Sequence, residues 1–220
     1  KIEQYLKNNS ISLIIKAESA KRSKKFIVAE ENYNKMLSNE DTKILGLRGL
    51  LEQNLKSQDY HHALIYAEQI YNINSKLDWI YKTILEIMVK TKNWQKLIYI
   101  NNDAQKKKII SQNTKSQYNA LAKYEIALIK EQASIREALD LLKEANKERP
   151  NFPPIVKKLV SLLIKNNEVT KAKKALATSW YNFPHQILFE EIIKIAEVSN
   201  INVVNYENKL TSSKSNEYES

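Results

Sequence analysis

Apolar residues recur along this chain at the three- and four-residue spacing of helices that bury one face. The pattern predicts a series of helix pairs, in which a first and a second helix are joined by a short turn. First helices are expected at about 10–23, 42–57, 77–91, 111–132 and 152–166. Second helices are expected at about 25–37, 59–73, 93–108, 134–148 and 168–181. A further helix at about 185–198 begins a sixth unit, and one more short helix is expected near Val203–Leu210.

One position in the second helices repeats with a fixed period. The residues at that position are separated by 34, 34, 41 and 34 residues and are Ala29, Ala63, Leu97, Ala138 and Ala172. A period of 34 residues is that of the tetratricopeptide (TPR) repeat, one helix–turn–helix per unit. The longer interval has seven extra residues, about two helical turns, which keeps the same face inward. The pattern predicts an all-α fold, a right-handed α-solenoid of about five TPR-like repeats.

Other positions share this period. Pro150 and Pro184 lie twelve residues after Ala138 and Ala172, where a proline ends the second helix. Sixteen residues before each repeating position stand Leu13, Leu47, Tyr81, Ala122 and Val156, and nine before stand Ala20, Asn54, Met88, Ile129 and Leu163. These mostly apolar positions are expected to be buried between stacked helices. Helix caps are predicted at Ser38, at Asp41 or Thr42, at Asn93 and at Ser134. The repeat domain is expected over 1–198, with 199–220 a polar tail that starts a further, truncated repeat.

Composition excludes several classes of function. The chain has 2 glycines, so it cannot build a glycine-rich phosphate or dinucleotide loop, and Gly46 and Gly49 are expected to allow a close helix contact. It has no cysteine for thiolate chemistry, and its longest apolar run, 63–67, is far too short to cross a membrane. The start at Lys1 rather than at a methionine leads us to expect a fragment of a longer protein.

No arrangement of residues points to catalysis or metal binding. Adjacent side chains on a helix point about 100° apart, so His61 and His62 cannot readily share one metal ion. No Gly-x-Ser-x-Gly sequence provides a serine nucleophile. We therefore expect no catalytic activity, no metal and no cofactor. Trp79, Trp94 and Trp180 either form a stacking platform for a peptide or pack between helices, and packing is favoured.

The formal net charge is +10, and basic residues recur at two phases of the first helices. A row of cations on a concave face would attract acidic peptides or other carboxylate-rich ligands. The alternative is a solvated face, because Glu52 and Glu86 lie four residues from basic neighbours. Lys123 and Lys157 lack such a glutamate and are expected to be uncompensated. The predicted groove residues are Arg48, Lys56, Lys82, Lys90, Lys123, Lys157 and Lys165.

The sequence Leu-Gly-Leu-Arg-Gly-Leu over 45–50, preceded by Thr42, resembles the signature of HemY-type TPR proteins of proteobacteria. Asp78-Trp79, Asn93-Trp94, and Trp180 with Pro184-His185 resemble later motifs of that family. The resemblance implies a protein anchored in the inner membrane by a segment upstream of Lys1, with a cytoplasmic repeat domain. It also implies a role in haem or porphyrin biosynthesis, with porphyrin-pathway enzymes as partners. No residue spacing selects a haem ligand.

A second basic cluster lies within residues 1–25, which carry a local charge of +5. If an anchor precedes Lys1, this end lies near the membrane, where basic residues attract anionic lipid. The alternative is the general lysine excess, since 31 of the 35 basic residues are lysine. The scarcity of arginine argues against nucleic acid as a partner. The function expected is a non-catalytic protein–protein interaction scaffold; the alternative is a module that binds acidic peptides or carboxylate-rich porphyrin precursors.

Overall fold

The computed structural model describes residues 10–212. Over these residues the chain forms twelve α-helices, one short 3₁₀ helix and no strand. The chain divides into two compact units, Lys1–Ile110 and Ser111–Ser220. The first holds α1 (Ser10–Arg22), α2 (Phe26–Met36), α3 (Glu40–Lys56), α4 (Tyr60–Ile73), α5 (Asp78–Lys90) and α6 (Trp94–Lys106). The second holds α7 (Gln112–Lys130), α8 (Ile135–Glu148), α9 (Pro153–Lys165), α10 (Val169–Asn182), α11 (Phe189–Val198) and α12 (Val203–Ser212), with the 3₁₀ helix Gln186–Leu188 before α11.

Helices pack mainly on their neighbours in sequence. In the first unit α1 packs on α2, α2 on α3, and so on to α6; the second unit repeats this order from α7 to α12. The predicted all-α, α-solenoid class is thus confirmed within each unit, since stacked helix pairs contact the pairs before and after them. No helix of residues 10–212 has the length and apolar character needed to span a bilayer. The extent of the repeat domain, 1–198, stays a prediction.

Six turns close with the same backbone geometry although none contains glycine. In each, the second residue after the helix has a positive φ, and the next N–H donates to a carbonyl five residues back. The hydrogen bond from Asn93 N to Met88 O, 2.9 Å, is typical. The residues with positive φ at these turns are Lys24, Gln58, Lys92, Lys108, Asn167 and Asn200. Lysine and glutamine adopt a conformation here that usually favours glycine or asparagine.

Side-chain caps begin six of the described α-helices, including α12, where Asn202 accepts from Val204 N and Asn205 N. Asn93 and Ser134 cap α6 and α8 as predicted, by accepting hydrogen bonds from Lys96 N and Glu137 N. The predicted caps of α3 at Ser38, Asp41 or Thr42 are wrong. Asn39 accepts from Asp41 N, while Thr42 is buried and its hydroxyl donates to Met36 O. Asp59 and Ser111 cap α4 and α7.

The repeating position of the second helices is buried in all five pairs, as predicted. Gly46 and Gly49 allow the predicted close contact between α2 and α3. A Cβ at Gly46 would stand 2.7 Å from Tyr33 O, and one at Gly49 would stand 2.3 Å from Tyr33 Cε1. Pro150 and Pro184 follow the ends of α8 and α10, also as predicted.

The longer repeat departs from the predicted register in its second half. Helix α7 has 19 residues, and the turn after it has no residue with positive φ. Ala122 is buried as predicted, but Ile129 is 63% exposed, so the prediction of a buried Ile129 is wrong. Ile126 and Ala127 are buried instead, and the turn between α7 and α8 is one residue longer than the turns within the other helix pairs.

Candidate functional site

The first unit places its four predicted groove residues on α3 and α5, and two of them lie beside aromatic rings. The Arg48 guanidinium lies 5.3 Å from the centre of the Trp79 ring, and its Nε donates to Glu52 Oε1 at 3.0 Å. Lys90 Nζ lies 5.4 Å from the centre of the Tyr60 ring. Lys56 and Lys82 are exposed and form no ion pair with any described residue. These two lysines keep their full charge available to a ligand.

In the second unit, Lys123 is not the uncompensated cation that its own helix suggests. Its Nζ lies 2.8 Å from both Glu144 Oε2 and Glu148 Oε1, and its side chain is only 16% exposed. Burial opposes its charged form, but the hydrogen bonds that it donates to the two carboxylates outweigh burial and raise the pKa of Lys123. The prediction of an uncompensated Lys123 is therefore wrong, because both partners come from α8.

The prediction that Lys157 is uncompensated is wrong for the same reason. Lys157 Nζ donates to Glu190 Oε2 at 2.7 Å, and this hydrogen bond raises the pKa of Lys157. Lys165 lies 3.9 Å from Glu131 Oε1, while Lys158 pairs more closely with the same carboxylate. Acidic residues of neighbouring helices thus neutralise this part of the predicted row.

A cavity of about 400 Å³ opens between α1, α2 and α3 of the first unit. One part of its wall is apolar and comprises Ile14, Met36 and Leu45. The rest is formed by ionic groups, by Tyr33 and by Gly49. Because Gly49 has no side chain, Tyr33 packs directly on the α3 backbone and forms the cavity floor.

An ionic network joins α1 to α3 along this cavity. Lys21 Nζ lies 2.6 Å from Glu52 Oε2, whose other oxygen accepts from Arg48. Burial opposes ionisation of Glu52, but the hydrogen bonds from the two cations outweigh it and lower the pKa of Glu52. The Tyr33 hydroxyl donates to Glu18 Oε1 at 3.0 Å, and burial together with this bond raises the pKa of Tyr33. The network fixes Arg48 beside Trp79.

An apolar row that sequence reasoning missed accompanies these charges. Ile11, Leu45 and Trp79 stand 34 residues apart, at one phase of the first three first helices. Ile11 and Leu45 are exposed and Trp79 is half-buried. The signal was present in the sequence, because this phase lies 18 residues before each repeating position. This phase is not recognised from the sequence because apolar side chains are ordinarily expected to be buried.

Two of the histidines, His62 and His185, take local structural roles. His62 Nδ1 lies 2.7 Å from Asp59 Oδ2, and this hydrogen bond lowers the pKa of Asp59. His185 accepts a hydrogen bond from Ile187 N at the start of the 3₁₀ helix. Within residues 10–212, no group of three histidine or acidic side chains is placed to hold a metal ion.

Comparison with known proteins identifies repeat sequence in the second unit. A family model described as "Tetratricopeptide repeat" matches residues 131–189, from the end of α7 to the start of α11. None of the curated proteins compared with the chain matches it.

Three solved structures are similar to this chain at low sequence identity. A structure described as "MamA RS-1 ArsTM double mutant" is 9% identical, covers 86% of this chain and 96% of its own, and gives a TM-score of 0.38. YrrB, described as a TPR protein with an unusual peptide-binding site, is 14% identical. It covers 85% of this chain and 93% of its own, with a TM-score of 0.40. PilF of Pseudomonas aeruginosa is 11% identical. It covers 96% of this chain and 93% of its own, with a TM-score of 0.44.

Proposed function

We propose that this protein is a non-catalytic scaffold of the TPR type that binds a segment of a partner protein on the first-helix face of its first unit. The observation that carries the proposal is the cavity between α1, α2 and α3. Leu45 of the apolar row lines this cavity, and Trp79 of the same row lies beside Arg48, which also lines it. Such apolar surface next to fixed polar groups is typical of peptide-binding grooves.

The charges indicate the chemistry of the bound segment. Lys56 and Lys82 stay unpaired among the described residues, whereas Lys123, Lys157 and Lys165 lie beside carboxylates. An acidic ligand is therefore expected to bind the first unit. We propose a peptide that combines an apolar side chain for the cavity with acidic residues for the two lysines. A carboxylate-rich porphyrin precursor shares the acidic chemistry and is the alternative ligand.

The resemblance of 42–50 to the HemY-type signature supports a more specific role. On that basis we propose that the domain is cytoplasmic, is held at the inner membrane by an upstream anchor, and recruits porphyrin-pathway enzymes. The two glycines of the signature also meet a packing requirement, because each faces Tyr33 or its neighbours. The pathway assignment thus depends on the resemblance, while the binding groove depends on the cavity and charges.

Affinity capture from solubilised membranes of the source organism tests these proposals. The bait would be the full chain, compared with Lys56→Glu/Lys82→Glu and with a control, Lys106→Glu/Lys108→Glu, which reverses two exposed charges elsewhere in the same unit. Proteins captured by wild type and control but lost from the first variant would support the groove. Equal capture by all three would contradict it. Absence of porphyrin-pathway enzymes from the captured set would contradict the pathway assignment alone.

A further inference from the structure

The turn between α1 and α2 is an exposed surface of mixed basic and apolar character. All seven residues of 22–28, Arg-Ser-Lys-Lys-Phe-Ile-Val, are exposed. Ile27 is 76% exposed, Phe26 47% and Val28 45%. Three large apolar side chains in succession at the end of a helix pair are costly to leave in water, so they indicate an interaction surface.

The other four helix pairs show what this position ordinarily carries. The residues at the phase of Ile27 and Val28 are all polar there: His61 and His62, Gln95 and Lys96, Arg136 and Glu137, Thr170 and Lys171. At the phase of Phe26 the other pairs also have apolar residues, but each of those is half-buried. The first pair alone of these five exposes an apolar surface at its turn. The helical fold therefore does not require Ile27 and Val28.

The same turn also differs from its counterparts in the residue that precedes its second helix. Asp59, Asn93 and Ser134 accept a backbone hydrogen bond there, while Glu168 makes no side-chain cap but carries a negative charge. The corresponding residue of α2 is Lys25, which makes no side-chain cap. A cation at a helix N-terminus is locally unfavourable, because the helix dipole is positive at that end. Sequences that break a local rule in this way commonly do so for function.

The charges of this turn are uncompensated. Arg22, Lys24 and Lys25 form no ion pair with any described residue, and no acidic residue occurs within 22–28. The nearest acidic residue on α1, Glu18, already accepts from Tyr33 and lies 3.9 Å from Lys21. Glu30, on α2, accepts from Gln53. The turn thus presents three free cations beside three exposed apolar side chains.

We propose that the α1–α2 turn, defined as residues 22–28, docks on an anionic lipid bilayer. The geometry matches that surface, because Phe26, Ile27 and Val28 can enter the boundary of the acyl chains while Arg22, Lys24 and Lys25 meet lipid phosphates above it. A protein partner would have to offer an apolar pocket rimmed by acidic groups. A bilayer offers both features at any point. This surface borders the proposed peptide groove, since Phe26 and Lys56 line one cavity, and it does not depend on an anchor elsewhere.

Vesicle sedimentation with the full chain tests the proposal. We expect binding to vesicles of equimolar phosphatidylcholine and phosphatidylglycerol, weak binding to pure phosphatidylcholine, and release by salt. Ile27→Gln/Val28→Gln should weaken binding roughly tenfold or more, and Lys24→Gln/Lys25→Gln should weaken it by a similar factor. The control Lys106→Gln/Lys108→Gln removes two charges from the same unit and should have little effect. Unchanged circular dichroism would show that each variant is folded.

A second measurement reports directly how deeply the turn enters the bilayer. Ile27→Trp should show a blue-shifted fluorescence component on anionic vesicles and quenching by brominated lipid, relative to the native tryptophans. The proposal would be overturned if anionic vesicles did not bind, if the turn variants and the control lost binding equally, or if the new tryptophan stayed in water. Binding of inorganic phosphate without vesicles would make the turn a simple anion site. Loss of a captured protein by turn variants, without vesicle binding, would make it a protein interface; both results contradict the proposal.

Discussion

The ring of Tyr33 lies against the backbone of Gly49, so close that a Cβ there would stand 2.3 Å from Tyr33 Cε1. This contact brings α2 onto α3 and forms the floor of the proposed binding cavity. Gly49 therefore affects both stability and the shape of the site. The requirement for glycine is steric and not conformational, since neither glycine has a positive φ.

We expect Gly49→Ala to lower the free energy of unfolding by about 1–3 kcal/mol, because the added methyl overpacks the Tyr33 ring. The gain in helix propensity, about 1 kcal/mol, offsets only part of this cost. Urea denaturation would measure the change. In a Tyr33→Leu background the same substitution should cost much less, so an equal loss in both backgrounds would contradict the contact.

The paired Lys123 should matter for stability more than the free Lys82. Lys123→Ala leaves the partly buried Glu148 without its cation and should cost about 1–2 kcal/mol. Lys82→Ala should change the free energy of unfolding by less than about 0.5 kcal/mol, as for other exposed surface residues. Chemical denaturation of the two variants in parallel tests the difference, and equal effects would argue against the bridge between α7 and α8.

The turns with positive φ provide a different comparison. Lys92→Gly should raise the free energy of unfolding by about 0.5–1 kcal/mol, because glycine adopts this conformation without the cost that lysine carries. Asn167→Gly should have a smaller effect, since asparagine tolerates the same conformation. Thermal unfolding of both variants provides the test. A loss of stability in Lys92→Gly would mean that its side chain makes a stabilising contact.

Glu52 should make stability depend on pH in the acidic range. Its pKa is lowered in the folded state, so its contribution is present above the ordinary glutamate pKa and is lost as the pH falls through the folded value. Wild type should therefore lose stability below about pH 4–5. Glu52→Gln should be less stable at neutral pH and show a flatter profile below it. Parallel slopes for both proteins would contradict the network with Lys21 and Arg48.

Sequence reasoning was successful where the determining interactions are local. The helix pairs, the repeating position at Ala63 or Ala172, and the caps Asn93 and Ser134 all follow from spacing within one repeat. The cap of α3 was misassigned because Asn39 and its neighbours include several residues able to cap, and only the backbone geometry decides among them.

Interactions between helices were harder to predict from the sequence. The carboxylates that neutralise Lys123 lie 21 and 25 residues away, so a search within one helix could not find them. Ile129 was assigned to the core because the period was carried through a turn whose backbone differs from the others. In the candidate site, the basic row was visible, but which of its members are free depends on acidic groups of neighbouring helices.

The order in which the helices pack has a kinetic consequence. Because α1 packs mainly on α2, and α9 on α8 and α10, most contacts join residues that are near in sequence. Closing such short loops costs little chain entropy, so each unit should fold rapidly without waiting for distant segments to meet. Unfolding should begin at the ends of a unit and spread by one helix pair at a time.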